Sequence, residues 1–291
     1  MNSYSSPKFI RLPLWRAVLL RCKSIVIDIA HKLIRQRKRV RDQVKSDYDQ
    51  GEWRGHLNAC RWEQAKDLKS YVVPDDQRSI VATVEGCLVT ISIQDYYEYR
   101  THSIAEVLKA YAGDADRLVE IGSGAGRNLF ALALDGHWPE LRGLELSPTG
   151  MEVTRLAAER FALTGVSVGP IDLLEPASAG FRELQGATVF SFYCLEQLPA
   201  HTEAVLTALL RAGVKRVIHM EPSAEMMSCF SLKDLPTISY IWRQHYLNDI
   251  VSVARTLEAK GLIRVLEAKR LEFAPTHRNM PTLVVWEPVN A

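Results

Sequence analysis

The chain has 291 residues, 47% of them hydrophobic and 24% charged, a balance that excludes collagen-like and intrinsically disordered chains. The formal net charge of +2 hides a strong asymmetry: residues 8–45 hold 12 Lys/Arg against two acids, Asp28 and Asp42, a local charge of +10 on an otherwise acidic body. Five scattered cysteines (Cys22, Cys60, Cys87, Cys194, Cys229) with no C-x-x-C pair argue against a zinc site or a disulfide framework, and no metal ligands are expected. No stretch reaches the roughly 18 uncharged apolar residues of a membrane span. The early apolar runs, broken by Arg21, Lys23 and Asp28, lack the pattern of a signal peptide. The expected location is the cytoplasm, with peripheral attachment to the inner face of a membrane left open.

Three zones follow in chain order. Residues 1–45 form a basic amphipathic arm. A helix starting near Pro13 places Trp15, Val18, Leu19, Cys22, Ile25, Val26, Ile29 and Leu33 on one face. That stripe could lie on anionic lipid, with the basic run at 35–41 adding attraction. It could instead pack on the body or on a second subunit in a homodimer; nucleic acid is the least favoured partner. Residues 46–112 read as a helical cap or lid, rich in aromatics (Tyr48, Trp53, Trp62, Tyr96, Tyr97, Tyr99), with a helix over 104–111 closed by Gly113.

From residue 113 onward short apolar strands alternate with helices. Strands are expected at 118–121, 141–144, 166–168, 188–192 and 214–220, with helices at 128–134, 150–163 and 202–211. This rhythm predicts an α/β fold: an open, mostly parallel, seven-stranded Rossmann-like sheet. A helix over 245–260 leads to two successive strands, 263–271 and 282–287, which make the last strand antiparallel.

Three acids stand at three successive strand ends, where open α/β sheets bind ligands. The first strand ends in Glu120-Ile121 and enters Gly122-Ser123-Gly124-Ala125-Gly126; the second ends at Glu145; the third runs to Asp172. Glycines in that loop permit a tight turn and close ligand approach. An acid like Glu145 can accept from ribose hydroxyls, and Asp172 from an exocyclic adenine amine. A dinucleotide fingerprint needs glycine at the loop's sixth position, where this chain has Arg127.

In this order and spacing, about 60% of the chain (residues 114–288) resembles the class I S-adenosylmethionine-dependent methyltransferases. The resemblance implies S-adenosylmethionine as cofactor. It implies Gly122, Gly124 and Gly126 along the methionine portion, Glu145 at the ribose and Asp172 at the adenine. Glu120 would stand near the amino group or hold the loop, and Ser123, Leu146, Leu173 and Tyr193 join the cofactor-binding set. Arg100, in the lid, would meet the methionine carboxylate or an acidic acceptor.

Methyl transfer to a hydroxyl needs an aligned nucleophile and usually a base. Glu196, at the fourth strand's end, and His245 are the leading candidates; His102, His219, Tyr97 and Tyr99 stand behind them, His219 reading as a core histidine. The expected activity is O-methylation of a saccharide or other small-molecule metabolite. An N- or C-directed methyltransferase is the alternative within the fold, and a non-catalytic cofactor-binding or membrane-associated protein is the alternative outside catalysis.

Overall fold

The computed structural model describes residues 7–34, 47–113, 115–198 and 200–289. The basic run at 35–41 lies outside the described residues. A short strand, β1 (Phe9–Arg11), precedes the long helix α1 (Leu14–Ile34). A π-helical turn (Asp47–Glu52) leads to α2 (Trp53–Ala59), α3 (Arg61–Gln64) and α4 (Leu68–Val72). Then come β2 (Ser79–Val84), β3 (Cys87–Ser92) and α5 (Ile93–Ala112). The alternating part follows as β4 (Arg117–Ile121), α6 (Arg127–Asp135), β5 (Glu140–Glu145), α7 (Pro148–Arg160) and β6 (Val166–Pro170). It continues through β7 (Thr188–Phe192), α8 (Thr202–Arg211), β8 (Arg216–Pro222), α9 (Leu235–Gln244) and α10 (Ile250–Ala259) to β9 (Ile263–Arg270) and β10 (Pro281–Pro288).

The main sheet has seven strands in the order β6-β5-β4-β7-β8-β10-β9, with β10 antiparallel to both neighbours. Alternate residues of each strand feed opposite faces. Leu118, Phe190, Ile218 and Leu283 join Leu108 of α5 and Leu129 and Phe130 of α6 in one apolar layer. Val119, Val189, Val217 and Val284 meet Leu206 of α8 and Leu257 of α10 in the other. Fully burying each such side chain contributes about 1.5–3 kcal/mol before entropy is counted. The chain leaves β4 toward β5 and β6 on one side and returns to β7 on the other, which opens a crevice at the carboxyl ends of β4 and β7.

The cap is not purely helical. β2 and β3 pair with β1 in a separate antiparallel sheet of order β1-β3-β2. Its signal is the run Ile80-Val81-Ala82-Thr83-Val84, then Glu85-Gly86, then Leu88-Val89-Thr90-Ile91. Glu85 (φ 49°) and Gly86 (φ 69°) are both left-handed, as a two-residue hairpin turn requires.

The expected helix over 245–260 is two pieces. His245 ends α9 in the left-handed region (φ 54°), and α10 starts only after Asp249. Between them Leu247 is buried and its N–H bonds the Glu196 carbonyl, while Asn248 accepts from Ala224 N at 2.7 Å. These contacts pull the segment out of helical geometry.

Helix α1 packs on α9 with its polar edge. Its buried residues are Ala17, Ser24 and Asp28, whereas Trp15, Leu19, Val26, Ile29 and Leu33 are exposed. The fully buried Asp28 carboxylate is met by Arg243 Nε at 3.1 Å, by Ser239 Oγ at 3.1 Å and by Arg278. The Tyr240 ring has the Arg243 and Arg278 guanidiniums each 5.1 Å from its centroid, and Ser24 Oγ meets His277 Nε2 at 2.7 Å. An apolar stripe packed on the body is therefore corrected: two arginines on the body demand a carboxylate, and that fixes which edge of α1 turns inward. Asp28→Ala, which strands both cations, should destabilise the fold by about 3 kcal/mol, read as a lowered urea midpoint; an unchanged midpoint would show that the network contributes nothing net.

Candidate active site

The carboxyl ends of β4 to β7 and the cap enclose a cavity of about 1320 Å³. That exceeds the roughly 300–1,000 Å³ of a typical small-molecule cleft and leaves room for two ligands side by side.

The glycine loop forms its floor. Gly122 (φ 69°) and Gly124 (φ 53°) adopt the left-handed region. A Cβ on Gly122 would stand 2.1 Å from Cys194 Sγ, and one on Gly124 2.6 Å from the Trp53 ring. The chain's own Cys194 and Trp53 approach these glycines closely, which adds a packing reason to the tight turn that the loop requires. Gly126 does not line the cavity; it starts α6, and a Cβ there would strike Thr154 and Phe130.

Glu145 is buried at the end of β5. It accepts from Gly124 N at 2.7 Å and from Ser147 N at 2.9 Å. Burial pushes its carboxyl above the usual range, and the backbone N–H groups pull against that shift. Ser147 caps α7, accepting from Gly150 N at 3.1 Å, and donates its hydroxyl to Asp49 at 2.6 Å. Asp49 also accepts from Thr149 N at 3.0 Å, so a carboxylate from the cap sits on the amino end of α7. Those hydrogen bonds, Ser147's first, hold the Asp49 carboxyl below its usual range.

Glu120 Oε1 accepts from Asn128 Nδ2 at 2.6 Å, and Arg100 Nη2 donates to Asn128 Oδ1 at 2.7 Å. The Arg100 guanidinium lies 4.6 Å from the centre of the Phe192 ring. Glu120 Oε2 and Ser123 Oγ, both buried in the cavity wall, have no hydrogen-bond partner among the described residues. Burial pushes the Glu120 carboxyl up to about 8. Asp172 lines the cavity and also accepts from Leu174 N at 3.1 Å, so it caps its own turn while facing the cleft. Leu146, Leu173 and Tyr193 line the cavity too; Tyr193 donates its hydroxyl to the Asn279 carbonyl at 2.5 Å, and burial pushes its phenol well up.

The two expected catalytic residues separate. Glu196 lines the cavity, buried, accepting from Gln197 Nε2 at 2.8 Å. His245 does not: as the left-handed end of α9 it meets Lys32 Nζ of α1, 3.2 Å from Nδ1. His219 is a core histidine paired with Ser191 Oγ at 2.9 Å and pushed down to about 3 by burial. His102 and Tyr99 are not among the lining residues, whereas Tyr97 is, with Arg127 over its ring at 4.7 Å. Trp53 lines the cavity, Trp62 is buried in the core, and the Tyr48 side chain lies outside the described residues.

Several lining residues carry no sequence signal, Tyr71, Asn128 and His56 among them. His56 of α2 faces the cavity from the cap, and burial first, then Arg127 and Arg61, push its imidazole below 6.5, so it is neutral at pH 7. It stands alone in Trp53-Arg54-Gly55-His56, and only the folding of the cap over the sheet brings it to the cleft.

No family model matches the chain, and no curated protein matches it in sequence. Solved structures do match. Magnesium protoporphyrin IX methyltransferase from Synechocystis PCC 6803 with bound SAH covers 86% of this chain and 100% of its own at a TM-score of 0.55 and 13% identity. The same protein with bound SAM covers 89% and 97% at 0.51 and 12%. The chain has the class I S-adenosylmethionine-dependent methyltransferase fold.

The raised carboxyls make stability pH-dependent. Glu120 and Glu221, the latter pushed by burial to about 7, bind protons more tightly folded than unfolded. Their contribution is complete below the ordinary 4.5 and is lost as pH rises through about 7–8. The urea midpoint should fall between pH 6.5 and 8.5, a window in which His219 does not titrate, and Glu120→Gln should flatten the fall. A slope unaltered in that variant would remove Glu120 as its source.

Proposed function

We propose that this chain transfers a methyl group from S-adenosylmethionine to a hydroxyl of a saccharide or another polar metabolite. The observation that carries the reading is the pair of buried, unpartnered oxygens, Glu120 Oε2 and Ser123 Oγ, in the wall of the cleft. Orphaned buried polar atoms are costly, so a pair of them at the glycine loop supports a ligand bearing donors there. The remaining wall fits the same cofactor. Glu120 suits the ammonium, Glu145 the ribose hydroxyls and Asp172 the adenine amine, with Leu146 and Leu173 along the base and Arg100 opposite the carboxylate.

The cofactor would supply an electrophilic methyl on a sulfonium. The protein's part is to align the acceptor oxygen and take its proton as the new C–O bond forms and the S–C bond breaks. Glu196 stands beside the end of β7 for that role, and His56, neutral at pH 7, is a second base. Trp53, Tyr71 and Tyr97, interleaved with Gln64, Arg127 and Gln197, give the cleft flat apolar faces and polar edges that suit a sugar-like acceptor.

Calorimetric titration with S-adenosylhomocysteine should show one saturable site, and no binding at millimolar ligand would sink the proposal. Glu145→Ala should weaken it by about 1–3 kcal/mol; an unchanged affinity would remove the ribose assignment. At pH 7 binding should release a proton as the ammonium ionises Glu120, seen as a dependence of the heat on buffer, and Glu120→Gln should abolish that release. With labelled cofactor and a cell extract as acceptor source, whichever of Glu196→Gln and His56→Ala removes the base should lower turnover by roughly 10²–10⁴-fold. Cofactor binding with no transfer in any extract would favour a non-catalytic role.

A further inference from the structure

The geometry of α1 points to an attachment surface for anionic lipid: we propose that this helix lies along a negatively charged bilayer surface with its apolar stripe inserted. Trp15, Leu19, Cys22, Val26, Ile29 and Leu33 are all exposed. They recur at intervals of four and three residues, so at ~100° per residue they fall within an arc of about 80°. The stripe runs most of the length of a helix about 31 Å long, at 1.5 Å per residue. The opposite edge is committed to the body through Ser24 and Asp28, so the helix cannot roll to hide the stripe without breaking that buried network.

Charge selects the occupant. Arg16 and Lys23 border the stripe, and Lys8 and Arg11 precede it, all exposed. The single acid of α1, Asp28, is fully buried, so the charged side chains that the described part of the arm shows to solvent are lysines and arginines. Insertion of a tryptophan and aliphatic side chains flanked by Lys/Arg is what binds an interfacial helix to anionic headgroups. The alternating spacing would also suit a helix pair, but a second copy would bring together two segments that each carry +10 over residues 8–45. That repulsion disfavours the pair, and the same charge is neutralised at an anionic bilayer.

The test is flotation of the full chain with vesicles of phosphatidylcholine alone and with phosphatidylglycerol added. The chain should float with the anionic vesicles, less so at high salt. The combined Trp15→Ser, Leu19→Ser and Val26→Ser variant should bind them at least about tenfold more weakly. These positions are exposed, so its thermal melting should match the parent's. A second variant, Arg16→Glu with Lys23→Glu, keeps the stripe and should lose the preference for anionic over neutral vesicles. The proposal is overturned if the parent fails to float with anionic vesicles, or if the triple variant floats equally well. It is overturned in favour of a second copy if the parent sediments as a dimer that the triple substitution dissolves and no vesicle binding is seen.

Discussion

The carboxylate of Glu145 accepts one N–H from the glycine loop after β4 and another from the start of α7. Two connections that leave neighbouring strands are thereby fastened to one side chain, and the crevice between β4 and β7 acquires a fixed edge. Ser147 extends the arrangement: its N–H serves Glu145, its hydroxyl oxygen serves Gly150, and its proton goes to Asp49 of the cap. Asp49 in turn holds Thr149 at the first turn of α7. The cap is thus latched over the cleft by a carboxylate at a helix amino end, where the partial positive charge of the unpaired N–H groups favours it. Trp53 then rests against Gly124, which explains why that position has no room for a side chain.

Burial concentrates acids in this region and raises their carboxyls above the usual range. Glu120, Glu145 and Glu221 are buried with raised carboxyls, and burial pushes the neighbouring Cys194 thiol well up. Each carboxyl is met by N–H groups: Glu145 as above, Glu120 by Asn128, and Glu221 by Cys194 N at 3.1 Å. Arg100 is a cation beside them, half-buried with its pKa lowered by desolvation, and it donates to Asn128. A wall of this kind gains from a positively charged ligand, because each carboxyl recovers in ionised form part of what burial removed.

Much of this was legible in the chain itself. The seven strands of the sheet follow from short apolar runs alternating with helices, and Glu120, Glu145 and Asp172 follow from their position at strand ends, because strand order and handedness leave few places for such residues. The failures have a common origin in contacts distant along the chain. His245 read as the start of a helix because an apolar period continues through Tyr246 and Leu247; contacts to Glu196 and Ala224 break it. His56 carried no signal, since its value depends on the cap closing. Gly126 matched the motif, yet its neighbours are Thr154 and Phe130, which sequence spacing does not specify. The hairpin at Glu85-Gly86 was readable from its turn, but aromatic composition masked it in a segment read as helical.

The arm shows how a periodic pattern can be right about the element and silent about its orientation. The sequence period predicts α1 and its stripe; which side faces inward depends on Arg243 and Arg278, more than 200 residues away. In the fold the buried carboxylate, met by two guanidiniums, turns inward and leaves the apolar face outward. The same attachment reaches the cleft. Arg278, which holds Asp28, is followed by Asn279, whose carbonyl accepts the hydroxyl of the cavity-lining Tyr193. The adjacent residues Arg278 and Asn279, in the loop between β9 and β10, thus touch both the arm and the cavity wall.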